Sequence, residues 1–189
     1  MARAIAPQDR WTIADLEDLP EDNGTRYEII EGELFMSKQP HWHHQNACAN
    51  LTLGLGNWSK ESGLGKVVPA PGVIFDAENA VAPDLVWVSY ERLKALLKED
   101  GKLHGAPELA VEVLSFGAAN EHRDRERKRK LYSLRGVNKY WIVDWQVKAV
   151  TIYRRQAASL RLAATLHRDD DLTSPLLPGF RMRVGEIFD

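Results

Sequence analysis

A single cysteine, Cys48, in 189 residues excludes an intrachain disulfide and any zinc centre built from several thiolates, and it suits a reducing compartment. No apolar run approaches the length of a membrane-spanning helix, and the stretch from Met1 to Trp11 holds no apolar segment long enough for a signal peptide. A soluble, cytoplasmic protein is expected. Charge of one sign is also missing: 25 Lys and Arg stand against 27 Asp and Glu, a formal net of -2 with a pI near 6.3. A chain coated in positive charge is thereby excluded, so any contact with nucleic acid must rest on a local basic patch. Internal repeats, low-complexity tracts and linkers are absent too. With 44% hydrophobic content, the chain can bury one sizeable core, and a single domain over 1–189 is expected.

What is present reads as strands and helices in alternation. Thr12 with Asp15 behind it predicts a capped short helix that Pro20 stops, and Glu21 to Gly24 reads as a turn. Tyr27–Ile30 and Glu33–Met36 flank Glu31-Gly32 as a hairpin. Ala47, Leu51, Leu55 and Trp58 recur at helical spacing between His43 and Lys60, against the weakening effect of Gly54 and Gly56. Val67-Val68 and Val73–Phe75 read as strand around Pro69–Gly72, Glu91–Glu99 as a short helix, and Gly101–Pro107 as loop. Asn120 is placed to cap a charged helix that runs to Gly136. A hairpin of Tyr140–Asp144 with Ala149–Tyr153 and an edge strand at Leu160–Leu166 follow. This order gives a mixed β-sheet core flanked by helices, in the α/β or α+β class.

Two acids interrupt this pattern. Asp84 sits in the apolar run Val81–Val88 and Glu112 in the run Leu109–Leu114, both of which read as buried strand. A buried carboxylate costs several kcal/mol, on the order of a lost charge pair, unless it is paired, protonated or bound to a cation. A shared divalent ion explains both acids economically. Pro83 puts Asp84 near a strand end, and if the Glu112 strand lies alongside, both carboxylates can reach one ion. Oxygen ligands suit Mg²⁺, Mn²⁺ or Ca²⁺ better than zinc, and the matching reaction class is phosphodiester hydrolysis. Such a site wants a cation nearby, and Arg123 to Lys130 supplies a run of them just after the Glu112 strand. Lys128, one turn before Leu131 and Tyr132, is the one expected on the sheet-facing side.

Tyr27–Glu33, Pro83-Asp84, Glu112–Ser115, Asp124-Arg125, Lys128, Tyr132, Gly136-Val137 and Tyr140–Asp144 together resemble the Uma-type putative restriction endonuclease family, a branch of the PD-(D/E)xK nuclease superfamily. The resemblance runs in order from about Tyr27 to Tyr153. It implies a restriction-endonuclease-like fold, with Asp84 and Glu112 as metal-binding carboxylates and a Mg²⁺-dependent or Mn²⁺-dependent endonuclease activity, DNA being the implied substrate. The usual superfamily lysine would fall at Leu114; the resembled family supplies it from the following helix, at Lys128. Glu28, Glu33 and His44 match supporting positions.

Each residue also has a plainer reading. Asp84 after a proline is commonly a strand-end cap, and Lys128 with Asp124 forms an ordinary exposed helix pair. The cluster holding Arg123, Arg125 and Arg129 is most often a solvated helix face, and beside a phosphodiester site it also serves as a nucleic-acid contact surface. His41, His43 and His44 lack the partners of a zinc site, and Trp141 and Trp145 are assigned to packing. The rival to an enzyme is a non-catalytic partner-binding or regulatory module on the same fold. A homodimer is the common expectation for small enzymes of this kind.

Overall fold

A computed structural model of the chain describes residues 10–20 and 24–189. Of the turn expected at Glu21 to Gly24, only Gly24 is among the described residues, at φ 89°, and the other three lie outside them. In chain order the elements are α1 (Ile13–Leu16), β1 (Arg26–Ile30), β2 (Glu33–Ser37), α2 (Trp42–Ser62), β3 (Gly65–Pro69), β4 (Val73–Asp76), β5 (Asn79–Val81), β6 (Leu85–Ser89) and α3 (Tyr90–Leu96). They continue with β7 (Leu103–His104), β8 (Leu109–Val113), α4 (Ala118–His122), a π-helical turn (Arg123–Lys128), α5 (Arg129–Arg135), β9 (Lys139–Asp144), β10 (Ala149–Gln156) and β11 (Ser159–His167). The hairpin β12 (Asp171–Ser174) and β13 (Leu177–Arg183) and a 3₁₀ turn (Val184–Ile187) complete the chain.

The central six-stranded sheet has the order β11-β10-β9-β8-β6-β3, mixed in direction because β8 and β9 run parallel while the other neighbours are antiparallel. Alternation along β8 divides the core. Leu109, Val111 and Val113 face Ala47, Leu51 and Leu55 of α2 together with Phe180 and Met182 of β13. Ala110 and Leu114 face Leu131, Tyr132 and Tyr140 on the other side, where the smaller sheet β2-β1-β5-β4-β7 adds Ile30, Val73 and Val81. Two apolar faces on one sheet require covers on both, and α2 and α5 are those covers. A side-chain carbon added at Gly54 would lie 2.9 Å from Met182 Sδ, so the glycine that weakens α2 as a helix also lets it close on β13.

The β1–β2 hairpin turns through Glu31 and Gly32, both at positive φ (53° and 77°), as the primed hairpin turn demands. The β9–β10 hairpin and β11 at the sheet edge also follow the sequence reading. Several expectations are corrected. The apolar run Val81–Val88 is broken: Val81 ends β5 in the smaller sheet, and Ala82 to Asp84 cross to β6 in the larger one, because Pro83 has no N–H for a ladder. In the same way β3 and β4 belong to different sheets, with Ala70 turning the chain at φ 47°. The short helix after β6 stops at Leu96, and the loop at 101–107 contains β7, paired in parallel with β4. Asn120 lies inside α4 rather than capping it; its side chain donates back to Phe116 O. Most consequential for the site, the helix expected to run evenly to Gly136 carries a π-helical turn at its centre. The β12–β13 hairpin is not expected from the sequence, since Pro175, Pro178 and Gly179 obscure its alternation. Among the described residues no helix is long and apolar enough to cross a membrane.

Candidate metal and phosphodiester site

β6 and β8 are antiparallel neighbours with Leu85 opposite Val111 and Val86 opposite Ala110. Carried one residue further, this register sets Asp84 opposite Glu112. Val86 and Ala110 share the core face that holds Tyr132 and Tyr140, so by the period of two Asp84 and Glu112 emerge on that same face. Both line one pocket of about 60 Å³, room for a handful of waters, together with Glu28 from β1, His44 from the first turn of α2, and Lys128 from the π-helical turn. These five residues singled out in the sequence therefore converge from four elements and, for Asp84, from the crossing that leads into β6.

Each carboxylate is held in place. Asp84 Oδ2 accepts a 2.8 Å hydrogen bond from the Val113 amide and lies 3.3 Å from His44 Nε2, while Arg26 Nη1 is 3.4 Å from Oδ1. Glu112 Oε1 accepts from Tyr132 OH at 2.8 Å and contacts Lys128 Nζ at 3.0 Å. Glu28 Oε1 accepts from the Ala82 amide at 2.8 Å and meets the same ammonium at 2.9 Å. Asp124, one turn before Lys128, stands 3.7 Å from Nζ, and its Oδ1 takes Arg123 Nε at 3.0 Å. The exposed Asp124–Lys128 pair of the plainer reading is thus a buried one: these two side chains are only 1% and 2% exposed.

The electrostatics follow from this crowding. Four buried acids, Glu28, Asp84, Glu112 and Asp124, face two buried cations, Arg123 and Lys128. Burial and then the negative charges of Asp84, Asp124 and Glu28 push the Glu112 carboxyl well above its ordinary value, against the pull of Lys128. Asp124 is raised for the same first reason, burial. Asp84 behaves oppositely: burial works to raise it, but the hydrogen bond and charge of His44, the charge of Lys128 and the Val113 amide outweigh burial and hold it below the usual carboxylate value. Burial would depress the Lys128 amine, yet the surrounding carboxylates reverse this and keep it above the ordinary lysine value, an ammonium at neutral pH.

Two site residues, Cys48 and Arg26, are not assigned to the site from the sequence, and Asp124 is read there only as an exposed helix partner of Lys128. Cys48 lies one turn along α2 from His44, its Sγ 3.6 Å from His44 Nδ1. Ligand atoms of His44, Cys48 and Asp84 all fall within 4.8 Å of one another, and burial followed by the charges of Asp84 and Glu112 pushes the thiol up. Glu112 is outside that trio. The i,i+4 spacing of His44 with Cys48, and of Asp124 with Lys128, was the available signal. Arg26, at the rim, gave none. Other sequence candidates lie elsewhere. Glu33 is on the surface, paired with Arg127. Arg123 lines the pocket but is buried against Asp124, whereas Arg125 pairs with Asp144 at 2.8 Å and Arg129 with Glu126 at 2.8 Å. The run of cations is therefore largely neutralised in place rather than forming a bare basic face. Glu108, on the same face of β8, serves structure: it accepts from the hydroxyl and amide of Ser89, the residue that caps α3.

The family model described as "Uma2: Putative restriction endonuclease" matches residues 13–185. Among solved structures, the chain is similar to a putative nuclease belonging to DUF820 from Anabaena variabilis ATCC 29413, at 18% identity and a TM-score of 0.73, over 94% of this chain and 97% of that one. That likeness shows the fold, which is restriction-endonuclease-like. A weaker likeness, TM-score 0.41 at 15% identity, joins 77% of this chain to 15% of the type IIG restriction endonuclease BpuSI. No curated protein matches the chain.

Proposed function

We propose, from the premise that this chain belongs to the Uma2 family of putative restriction endonucleases, that it hydrolyses phosphodiester bonds of nucleic acid, DNA foremost, with a divalent metal ion. One observation carries the reading: a pocket that, among the described residues, gathers four buried carboxylates against two buried cations, an excess of acids that suits a divalent ion. The donor set fits such an ion. Asp84, kept ionised below the usual range, and Glu112 on the adjacent strand would hold it, with His44 as a nitrogen donor beside Asp84. Oxygen donors favour Mg²⁺, and the nearby imidazole favours Mn²⁺ over a purely hard-ligand ion. When bound, the ion supplies Lewis acidity toward a phosphoryl oxygen and lowers the pKa of a water.

The protein's own groups divide the remaining work. Lys128, held as an ammonium by Glu28, Glu112 and Asp124, acts as a donor that orients water or offsets charge building on the phosphate, and not as a general base. Tyr132 fixes the Glu112 carboxylate through its hydroxyl, and Arg26 at the pocket rim is placed to meet a phosphate. The test is metal-dependent cleavage of single-stranded, double-stranded and branched DNA and of RNA, set beside calorimetric titration with Mn²⁺. Cleavage and Mn²⁺ affinity should both vanish in Asp84→Ala. Retained cleavage in that variant, or no cleavage of any substrate by the wild type with any divalent ion, overturns the proposal in favour of a non-catalytic module.

A further inference from the structure

We infer that an aromatic shelf beside the candidate site stacks an unpaired nucleobase, so that the substrate is nucleic acid with single-stranded or unpaired nucleotides next to the bond to be cut. This rests on the phosphodiester reading and names its substrate class. The His41 ring lies flat on Trp145, centroids 4.9 Å apart with planes 4° from parallel. His43 stands 5.3 Å from both rings, and Phe116 meets Trp145 edge-on at 4.7 Å and His41 at 5.3 Å. Four rings converging in a core would be ordinary packing. Here His41 and His43 are exposed, Phe116 is 54% exposed and Trp145 is only half-buried, so the cluster offers ring surface to solvent.

The chain itself joins this shelf to the acids. Pro40, His44 and Ser115 line the acid pocket, while their neighbours His41, His43 and Phe116 form the shelf. Trp145 is tied to the end of the Glu112 strand by a 2.9 Å hydrogen bond from Nε1 to Leu114 O. A groove of about 220 Å³ continues along the shelf, lined by His43, Trp145, Gln146, Lys148 and Phe188. Ring faces for stacking, an amide for hydrogen bonds and an ammonium for a phosphate are the chemistry that recognises a nucleotide. Base faces are free to stack on a protein only where the base is unpaired and out of its own stack. This separates the shelf from a simple backbone contact, for which aromatic rings are poor partners and cations are needed.

The experiment measures binding by fluorescence anisotropy, with metal chelated, of a labelled single-stranded DNA, the duplex made from it, and the same strand with abasic sites. Wild type should prefer the intact single strand. Phe116→Ala should weaken binding of that strand by roughly five- to a hundredfold and change duplex and abasic binding by about twofold or less. Phe116→Trp should restore affinity, a rescue that a purely structural effect would not give. If wild type binds the single strand and Phe116→Ala binds it equally well, or if Phe116→Ala weakens all three probes alike, the shelf does not read bases and this inference falls while the nuclease reading stands. If wild type binds none of the three, this inference falls, and the nuclease reading is judged by the cleavage assay with divalent ions.

Discussion

Replacing Lys128 by methionine leaves an unbranched side chain only one atom shorter and removes the ammonium with its charge and its donors, which makes Lys128→Met the sharpest probe of the buried cluster. The ammonium touches Glu28 at 2.9 Å and Glu112 at 3.0 Å, with Asp124 at 3.7 Å, and is almost wholly out of water. Each close contact is worth on the order of 5 kcal/mol at an effective dielectric of about 20, much of it cancelled by the desolvation of both ions. Removing one partner of such a network, and so stranding the others, costs about 3–5 kcal/mol. For a chain of this size that lowers the melting temperature by roughly 6–20 °C. The loss should depend on pH, and its sign follows from the protons. Glu112 is already raised above its reference value of 4.5 in the folded state, so folding is favoured when it is protonated and disfavoured as pH climbs through its native value. Without Lys128 that native value rises further. The difference between variant and wild type should therefore be small near pH 4.5 and grow toward pH 8. Urea unfolding at pH 5 and pH 8 measures it, and a second substitution, Glu112→Gln, should return much of the lost stability. Equal or greater stability for Lys128→Met at pH 8 would refute the account of the network.

Tyr132→Phe removes the hydroxyl that donates to Glu112 Oε1 and should cost about 1–3 kcal/mol in urea unfolding, with a smaller loss in Mn²⁺ affinity than Asp84→Ala gives by calorimetry. Gly65→Ala should be strongly destabilising, about 1–3 kcal/mol or more, since its new carbon would lie 2.3 Å from Val88 O and 2.9 Å from Ser89 Cα, backbone atoms with nowhere to go. Gly56→Ala is the converse: nothing lies within 4 Å of the new carbon, and α2 should gain about 0.8–1 kcal/mol of helix propensity, read as a raised melting temperature. The double variant Asp84→Ala, Glu112→Ala should take up no Mn²⁺ in a titration that wild type answers; unchanged affinity would remove both acids from the site.

The centre of the candidate site could be proposed from the sequence because burial makes acids conspicuous. Asp84 and Glu112 stood out as charges in apolar runs, and the β6–β8 register, carried one residue past its last pair, sets them opposite each other. Lys128 was reachable through helix geometry alone, one turn before Leu131 and Tyr132, which are buried with it. What could not be read was non-local. The break of one apolar run between two sheets depends on which strands accept β5 and β6, a matter of tertiary pairing that Pro83 only hints at. Glu33 shares the alternating pattern of its hairpin with Glu31, yet its strand lies at the edge of the smaller sheet, where it meets Arg127. The basic run looked like a bare patch because the acids that neutralise Arg125, Arg127 and Lys130, namely Asp144, Glu33 and Glu31, are far away in the chain. Packing explains Trp141, which is fully buried, and part of Trp145, which packs on the core while its ring neighbours His41, His43 and Phe116 come from the start of α2 and the loop after β8.

The π-helical turn spanning Arg123–Lys128 acts as a one-residue insertion in the phase of an otherwise continuous helix. It lets Arg123, Asp124 and Lys128 all look inward while Leu131 and Tyr132, further along, still meet the sheet. Removing any one residue from that turn would leave an unblemished α-helix, but its two halves would then be about 100° out of step. Either the charged trio or the apolar pair would have to swing into solvent. Length here is fixed as tightly as identity, so that natural variation among relatives should tolerate exchanged side chains in the turn far more readily than a shortened one.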